Sequence, residues 1–580
     1  METTTKNRKR QHLTQLVSII LILVLVNIIS SMVFTRFDLT SEKRYTLSPS
    51  TENILENLND IVFFKVYLEG EFPAGFKRLQ RETKELLDEF RAHNKNVQYE
   101  FINPSANENT KERNDTYRLL MEQGLQPTNL QVKTKSGMDQ QVIFPGALVS
   151  YRERQVAIEL LDAQMNVPPE AVLNNSIQNL EFKFANAIKK LSRKKKPAIA
   201  FIQGHGELNE KETFDIANTL AEDYLVDRVT INGQVNALVK RTLVDSLSNE
   251  YKILPKYAAI VIAKPDSVFS SKDKFIIDQY IMYGGKVLWL IDPVFASMDS
   301  IQRQESTVAV KNKTDLQDQL FTYGVRINEN LVMDLVAMSI PLRTGQIGNQ
   351  PQINFFPWYY FPLVTPFEKH PIVKNLNTIK TQFVSSIDTL KNVKLKKTVL
   401  LKTSPYSRVV PVPAMISLAI TREKPDERFY HGPPQTVAVL LEGIFQSDFK
   451  NRIPPIVSQS KEIGFKDHSQ PTSMIVVSDG DIIRNQLHYR EGYPLPLGYD
   501  QYTRETFGNK TFILNALNYL IDGPGLISLR SRELTLRLLD KTKVNDNKVF
   551  WQVFNILLPV VLVLLVGLLI IWLRKRKYTS

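Results

Sequence analysis

Gly204-His205-Gly206-Glu207 is the run in this sequence best suited to chemistry. Its two glycines permit close backbone approach to a ligand. The imidazole and carboxylate could hold a proton or contribute to a metal site. One His and one Glu are too few ligands for a structural or catalytic zinc centre, so no metal is expected. The competing reading is a tight strand-to-helix turn whose His and Glu bond locally. Asp292, Asp479 and Asp481 also end apolar runs. They could converge with His205 on one crevice, or cap turns and helices. The expected ligand-binding set is therefore Gly204, His205, Gly206, Glu207, Asp292, Asp479 and Asp481, with no catalytic residue and no cofactor. Hydrolysis by His205, Glu207 and Asp292 would need a nucleophile-and-base pair, and none is visible. The aromatic run FFPWYYFP at 355–362 reads either as a partner-binding or membrane-dipping loop, or as core.

Several chemistries are excluded outright. There is no cysteine, which removes disulfides, thiolate catalysis, Cys-ligated zinc and iron–sulfur clusters. A large Cys-free domain across a membrane fits a bacterial periplasm better than a eukaryotic secreted protein. No G-x-x-x-x-G-K-[ST], H-E-x-x-H or G-x-S-x-G pattern occurs, so nucleotide hydrolysis, zinc proteolysis and a nucleophile elbow are not expected.

The elements that must position these residues follow from periodicity. Residues 198–202 (AIAFI), 225–231, 257–263 (YAAIVIA), 286–291 (KVLWLI) and 474–477 (MIVV) are apolar runs of strand length. Helices are expected at 209–222, 271–283 and 508–521, and further strands at 397–402, 413–419 and 436–442. Alternation of apolar strands with helices predicts a parallel sheet covered on both faces, of Rossmann type, over 197–525. Residues 298–315 read as polar and mobile, followed by a helix at 315–323 and a strand near 330–336.

Upstream, Ser48 is placed to N-cap a helix starting at Pro49. Strands at 61–68, 97–103, 129–134, 141–151 and 154–160, with helices at 74–94, 110–123 and 169–191, predict a small thioredoxin-like α/β domain over 37–192. It lacks the Cys pair a redox role would need. A basic linker, 193–197, joins the two.

Two uncharged stretches bracket this α/β body. Residues 13–34 and 553–573 are each long enough to cross a hydrocarbon core of about 30 Å. The first could also be a cleaved signal peptide, but no A-x-A site follows it, which favours an uncleaved signal anchor. Basic residues precede the first span (Lys6, Arg8, Lys9, Arg10) and follow the second (Arg574, Lys575, Arg576, Lys577). By the positive-inside rule both tails, 1–12 and 574–580, are cytoplasmic and the body lies across the membrane. Of the net +13, the tails carry +3 and +4, leaving +6 for the rest. The basic pI reports topology, and no nucleic-acid partner is expected. An amphipathic segment, 526–550, is expected to lead to the second span.

Five segments carry a family resemblance: Arg44-Tyr45-Thr46-Leu47-Ser48, FIQGHGE at 201–207, the YAAIVIAKP and YGGKVLWLIDP block, His370-Pro371-Ile372, and VVSDGDIIRN. In this order, and between two terminal spans, they resemble the auxiliary subunit family of ABC-type transport systems, and within it the gliding-motility branch of the Bacteroidetes. The resemblance implies a partner permease (GldF-like) and a separate cytoplasmic ATPase (GldA-like), in agreement with the missing Walker sequence. It also implies an amidotransferase-like second domain, whose chemistry is excluded because that nucleophile is a Cys. The expected function is a non-enzymatic inner-membrane subunit. The alternative is a membrane-anchored receptor for an envelope glycan or other small ligand.

Overall fold

Continuous apolar strands build the larger of two main sheets in the computed structural model, which describes residues 14–25, 46–134, 137–162, 168–193, 195–245, 250–348, 350–391, 394–531 and 546–578. The chain divides into two units, Tyr45–Arg532 and the two ends, Met1–Arg44 with Glu533–Ser580.

In the first unit a four-stranded sheet comes first. Its strands are β1 (Val62–Val66), β2 (Val97–Phe101), β3 (Gly146–Tyr151) and β4 (Arg154–Glu159), in the order β2-β1-β3-β4. β1 and β2 run parallel, joined by helix α1 (Ala74–His93), and β3 and β4 are antiparallel additions. Phe76, Leu79, Leu87 and Phe90 of α1 pack on Val62, Phe64 and Val66, as their helical spacing predicts. Helix α2 (Leu180–Ser192) covers the same core with Phe184 and Ile188. Ser48 Oγ accepts from the Thr51 amide, so the expected cap is formed. The single strand expected over 141–151 is instead split. Pro145 lacks an N–H for a ladder, so Gly137–Ile143 turns away to pair with Thr128–Thr134 and β3 starts afresh at Gly146.

The larger sheet has seven strands: β5 (Ala198–Gln203), β6 (Leu225–Thr230), β7 (Ala259–Ala263), β8 (Val287–Leu290), β9 (Lys396–Lys402), β10 (Thr436–Gly443) and β11 (Thr472–Val477). Their order is β9-β10-β11-β8-β7-β5-β6. β11, β8, β7, β5 and β6 are parallel. The expectation of a wholly parallel sheet fails at one edge, where β10 and β9 are antiparallel. Side chains along each central strand alternate between two cores. Ile199, Phe201, Val261 and Leu288 face one side, with helices α3 (Phe214–Ala221) and α5 (Asn509–Asp522). Ala200, Ile202, Ile260 and Trp289 face the other, with helix α4 (Ser271–Met282). This two-sided burial is why the strands read as unbroken apolar runs.

Two further expectations change and one open alternative is resolved. Residues 298–315 hold a helix, Met298–Gln304, and a strand, Ser306–Lys311, pinned by buried Ile301 and Ala309. The helix expected from 209 starts at Phe214, after a turn. The FFPWYYFP run lies in the long strand Gln350–Val364, hairpin-paired with Ala337–Ile347. Its Trp358, Tyr359, Tyr360 and Phe361 are buried, so this half of the run is core, while Phe355 remains exposed.

Residues 526–531 form a 3-10 turn. Leu526 and Leu529 are buried in the core of the four-stranded sheet, so the chain leaves the larger sheet by returning to the smaller one.

The other unit contains two described helices. Lys548–Arg576, within the helix Lys548–Tyr578, is long and apolar enough to cross a membrane, its most apolar 18-residue stretch having a mean hydropathy of 3.2. The described part of the N-terminal helix is Thr14–Leu25. The remainder of the expected first span, 13 and 26–34, lies outside the described residues.

Candidate functional site at the carboxyl edge of the large sheet

β5 ends at Gln203, and the next four residues turn the chain back toward α3. Gly204 and Gly206 have φ of +113° and +75°. A positive φ strains any other residue at 206, and a Cβ there would also displace the Asp266 carboxylate, 1.6 Å away. His205 and Glu207 are both buried. The His205 amide donates to Glu207 Oε2 at 2.7 Å. Its ring nitrogens face two carboxylates, Nδ1 at 3.1 Å from Glu207 Oε1 and Nε2 at 3.2 Å from Asp273 Oδ2. Carboxylates only accept, so both contacts are satisfied together by the imidazolium. The ring stacks flat on Phe269, with centroids 3.7 Å apart.

Asp273 is positioned by a cap. Ser270 Oγ accepts from the Asp273 amide and donates to Asp273 Oδ2, while Gly233 N donates to Oδ1 at 2.7 Å. Burial alone would lower the His205 pKa, but the hydrogen bonds and charges of Glu207 and Asp273 outweigh it and hold it above its ordinary value. The stability this pairing contributes is present below the unfolded pKa of about 6.5 and lost as pH rises through the folded value. Replacing His205 by Gln is therefore expected to flatten the fall in stability on the alkaline side of about pH 6.5. Urea midpoints across that range check this.

A second buried group surrounds Lys264, the residue after β7, whose φ is +55°. Its Nζ lies 3.1 Å from Asp292 Oδ2 and pairs with Asp481 Oδ2. Asp479 accepts from Gln382 N and Asp481 N, both at 2.8 Å. Arg484 bridges Asp481, at 3.4 Å, and Glu212, at 2.7 Å. Gly480 lets the Asp479–Asp481 loop approach, because a Cβ there would meet Lys264 Cβ at 2.4 Å. Burial raises Asp292 and Asp479 above the usual carboxylate range. Asp481 faces the same burial, but Lys264 and Arg484 hold it below.

The three aspartates expected to converge do so, around a lysine. The His205 imidazole is not among them, because Glu207 and Asp273 engage it. The two groups are joined through backbone, since the amides of Asp266 and Ser267 donate to the His205 carbonyl at 3.0 Å. Lys264 and Asp273 are the members that motif reading missed. The Ser270-x-x-Asp273 spacing signalled the second, and nothing local signalled the first. Among the described residues no group of three or more His, Asp or Glu is arranged to hold a metal ion.

Residues 196–516, more than half of the chain, match the family described as an ABC-type uncharacterized transport system. The chain belongs to this family. The matched region begins just before β5 and contains both side-chain groups. Membership makes the chain an accessory protein of a transport system, and with the apolar helix Lys548–Arg576 it indicates membrane association. Residues 41–150 match a second family, described as a domain of unknown function. An uncharacterized protein of Borreliella burgdorferi is 20% identical over 579 residues and is covered, like this chain, to 99%. A solved structure, the mmIFT52 N-terminal domain, is 12% identical and covers 56% of this chain and 97% of its own, with a TM-score of 0.30. That likeness is too slight to bear on fold or function.

Proposed function

We propose that this chain is a non-catalytic membrane subunit of an ABC-transporter-like complex, similar to the gliding-motility subunit GldG. It acts with a GldF-like permease and a separate GldA-like cytoplasmic ATPase. The observation that carries the reading is the family match over 196–516. It sits in the inner membrane with both tails cytoplasmic and the α/β body periplasmic, a reading supported by the basic clusters flanking the two apolar stretches. The body is read as a thioredoxin-like domain followed by an amidotransferase-like one. Support comes from the β2-β1-β3-β4 order in the first sheet and the five parallel strands in the second. Gly204, His205, Gly206, Glu207, Asp292, Asp479 and Asp481 form the edge through which the subunit engages its ligand or neighbour. Their place just beyond parallel strands is where open α/β sheets bind.

The test is affinity purification of the full chain from native membranes in a mild detergent. A multi-span permease and an ATPase should accompany it in fixed ratio. Recovery of the chain without either would overturn the proposal.

A further inference from the structure

Away from this edge, a cavity of 610 Å³ opens beside the helix Gln317–Thr322 and the strands Val325–Ile327 and Asn330–Asp334. This lies within the range of small-ligand sites, about 300–1,000 Å³. None of its lining residues belongs to the His205 or Lys264 groups.

The charges in its wall are unequal in their commitments. The guanidinium of Arg326 makes no hydrogen bond or ion pair among the described residues, although its backbone lies in the ladder opposite Asp388. The two carboxylates in the wall each have a lysine behind them. Asp318 lies 3.2 Å from Lys274, and Glu329 lies 2.5 Å from Lys311. Lys274 reaches both oxygens of Asp318, yet 47% of that side chain and 38% of that of Glu329 remain exposed. Apolar surface completes the wall, chiefly Phe321, 53% exposed, and Val409, 40% exposed.

These groups discriminate between ligand charges. A simple anion would satisfy the planar fork of Arg326 but face two carboxylates, whose like charge opposes it. A simple cation would suit the carboxylates and leave the guanidinium unused. A ligand carrying both charges meets both demands. The exposed ring and the valine then offer an apolar side chain a surface.

We propose that this cavity binds a zwitterionic α-amino acid or short peptide with free ends. Its carboxylate sits on Arg326, its ammonium between Asp318 and Glu329, and its apolar side chain against Phe321 and Val409. The proposal is independent of the transport-subunit reading, because it concerns residues that reading does not use.

The test uses the full chain in detergent with three probes: alanyl-phenylalanine, its C-terminal amide and its N-acetyl derivative. Thermal unfolding and titration calorimetry are read. The free dipeptide at millimolar concentration should raise the unfolding temperature, and each blocked form should bind at least about tenfold more weakly, a difference of about 1.4 kcal/mol. Arg326→Gln should abolish the response without changing the unliganded unfolding temperature, because the guanidinium has no partner to lose. Phe321→Ala should weaken binding of the parent. No response to the free dipeptide overturns the proposal, as does equal binding of either blocked form or a response that survives in R326Q. Loss of permease co-purification would leave this result untouched, so the two proposals fail separately.

Discussion

Replacing Lys264 by methionine is expected to cost the Tyr45–Arg532 unit about 3–5 kcal/mol at neutral pH, because it removes one partner of a buried ion cluster. The methionine keeps most of the volume and deletes the charge. Asp292 and Asp481 have side chains only 9% and 5% exposed, so water cannot replace the lysine. The pH dependence distinguishes this cause from a packing defect. Asp292 and Asp479 already have raised pKa values, and without Lys264 the group shifts further up. An acid whose folded pKa exceeds its unfolded value takes up a proton on folding, so acidification favours the folded state. The deficit of Lys264→Met should therefore shrink as pH falls from about 7.5 to about 5. Guanidinium unfolding of the two proteins at both pH values measures it. A deficit below about 1 kcal/mol, or one independent of pH, would show that the cluster is solvated and that Lys264 does not hold it.

Arg530→Ala should also be strongly destabilising, by about 2–4 kcal/mol, whereas Arg530→Met should stay within about 1 kcal/mol of the parent. Arg530 lies between the two sheets. Its Nη1 donates to Asn515 Oδ1 of α5 at 2.6 Å, and its guanidinium carbon sits 5.6 Å from the ring centroid of Phe182 in α2. It is 91% buried and its Nε has no partner. Burial lowers its pKa, opposed by the charge of Asp162, which is itself committed to Lys183 at 2.7 Å. The charge is thus poorly compensated, and most of what Arg530 contributes is volume and apolar contact. Methionine preserves these and alanine leaves a cavity. Nearby, Lys189 and Arg193 of the smaller half hold Asp522 at 3.2 and 2.5 Å. Amide exchange should therefore rise together in α2 and α5 in the alanine variant, and in neither in the methionine one. Equal losses in the two variants would mean that the charge, not the packing, matters. In sequence, Leu526–Ser531 is the last described stretch before the helix Lys548–Tyr578.

Local pattern made much of the fold legible. Val287–Leu290 is apolar on both faces, and only a strand covered on both sides explains that. Ser48 announced a helix start because capping is a contact between near neighbours. The antiparallel edge β9–β10 was not legible, since strand direction depends on the path of the intervening chain. Pro145 was a visible breaker within the predicted strand, and its effect on the ladder was missed. For FFPWYYFP the sequence left core and surface equally open, because aromatic content is the same in both. Burial of Trp358 is set by strands that reach it from elsewhere.

The candidate edge divides in the same way. The residue types were determined by the sequence alone: glycines where backbone must approach closely, aspartates at strand ends, no thiol and no nucleotide-binding loop. What those residues do was decided by tertiary structure. Asp273 comes to His205 from 68 positions away, and Asp481 to Lys264 from 217. Those contacts lock a His and a Glu into a buried, charged hydrogen-bond group, and gather three aspartates around one lysine. Periodicity is a property of neighbours along the chain, whereas ion pairing in a low-dielectric interior depends only on distance in space.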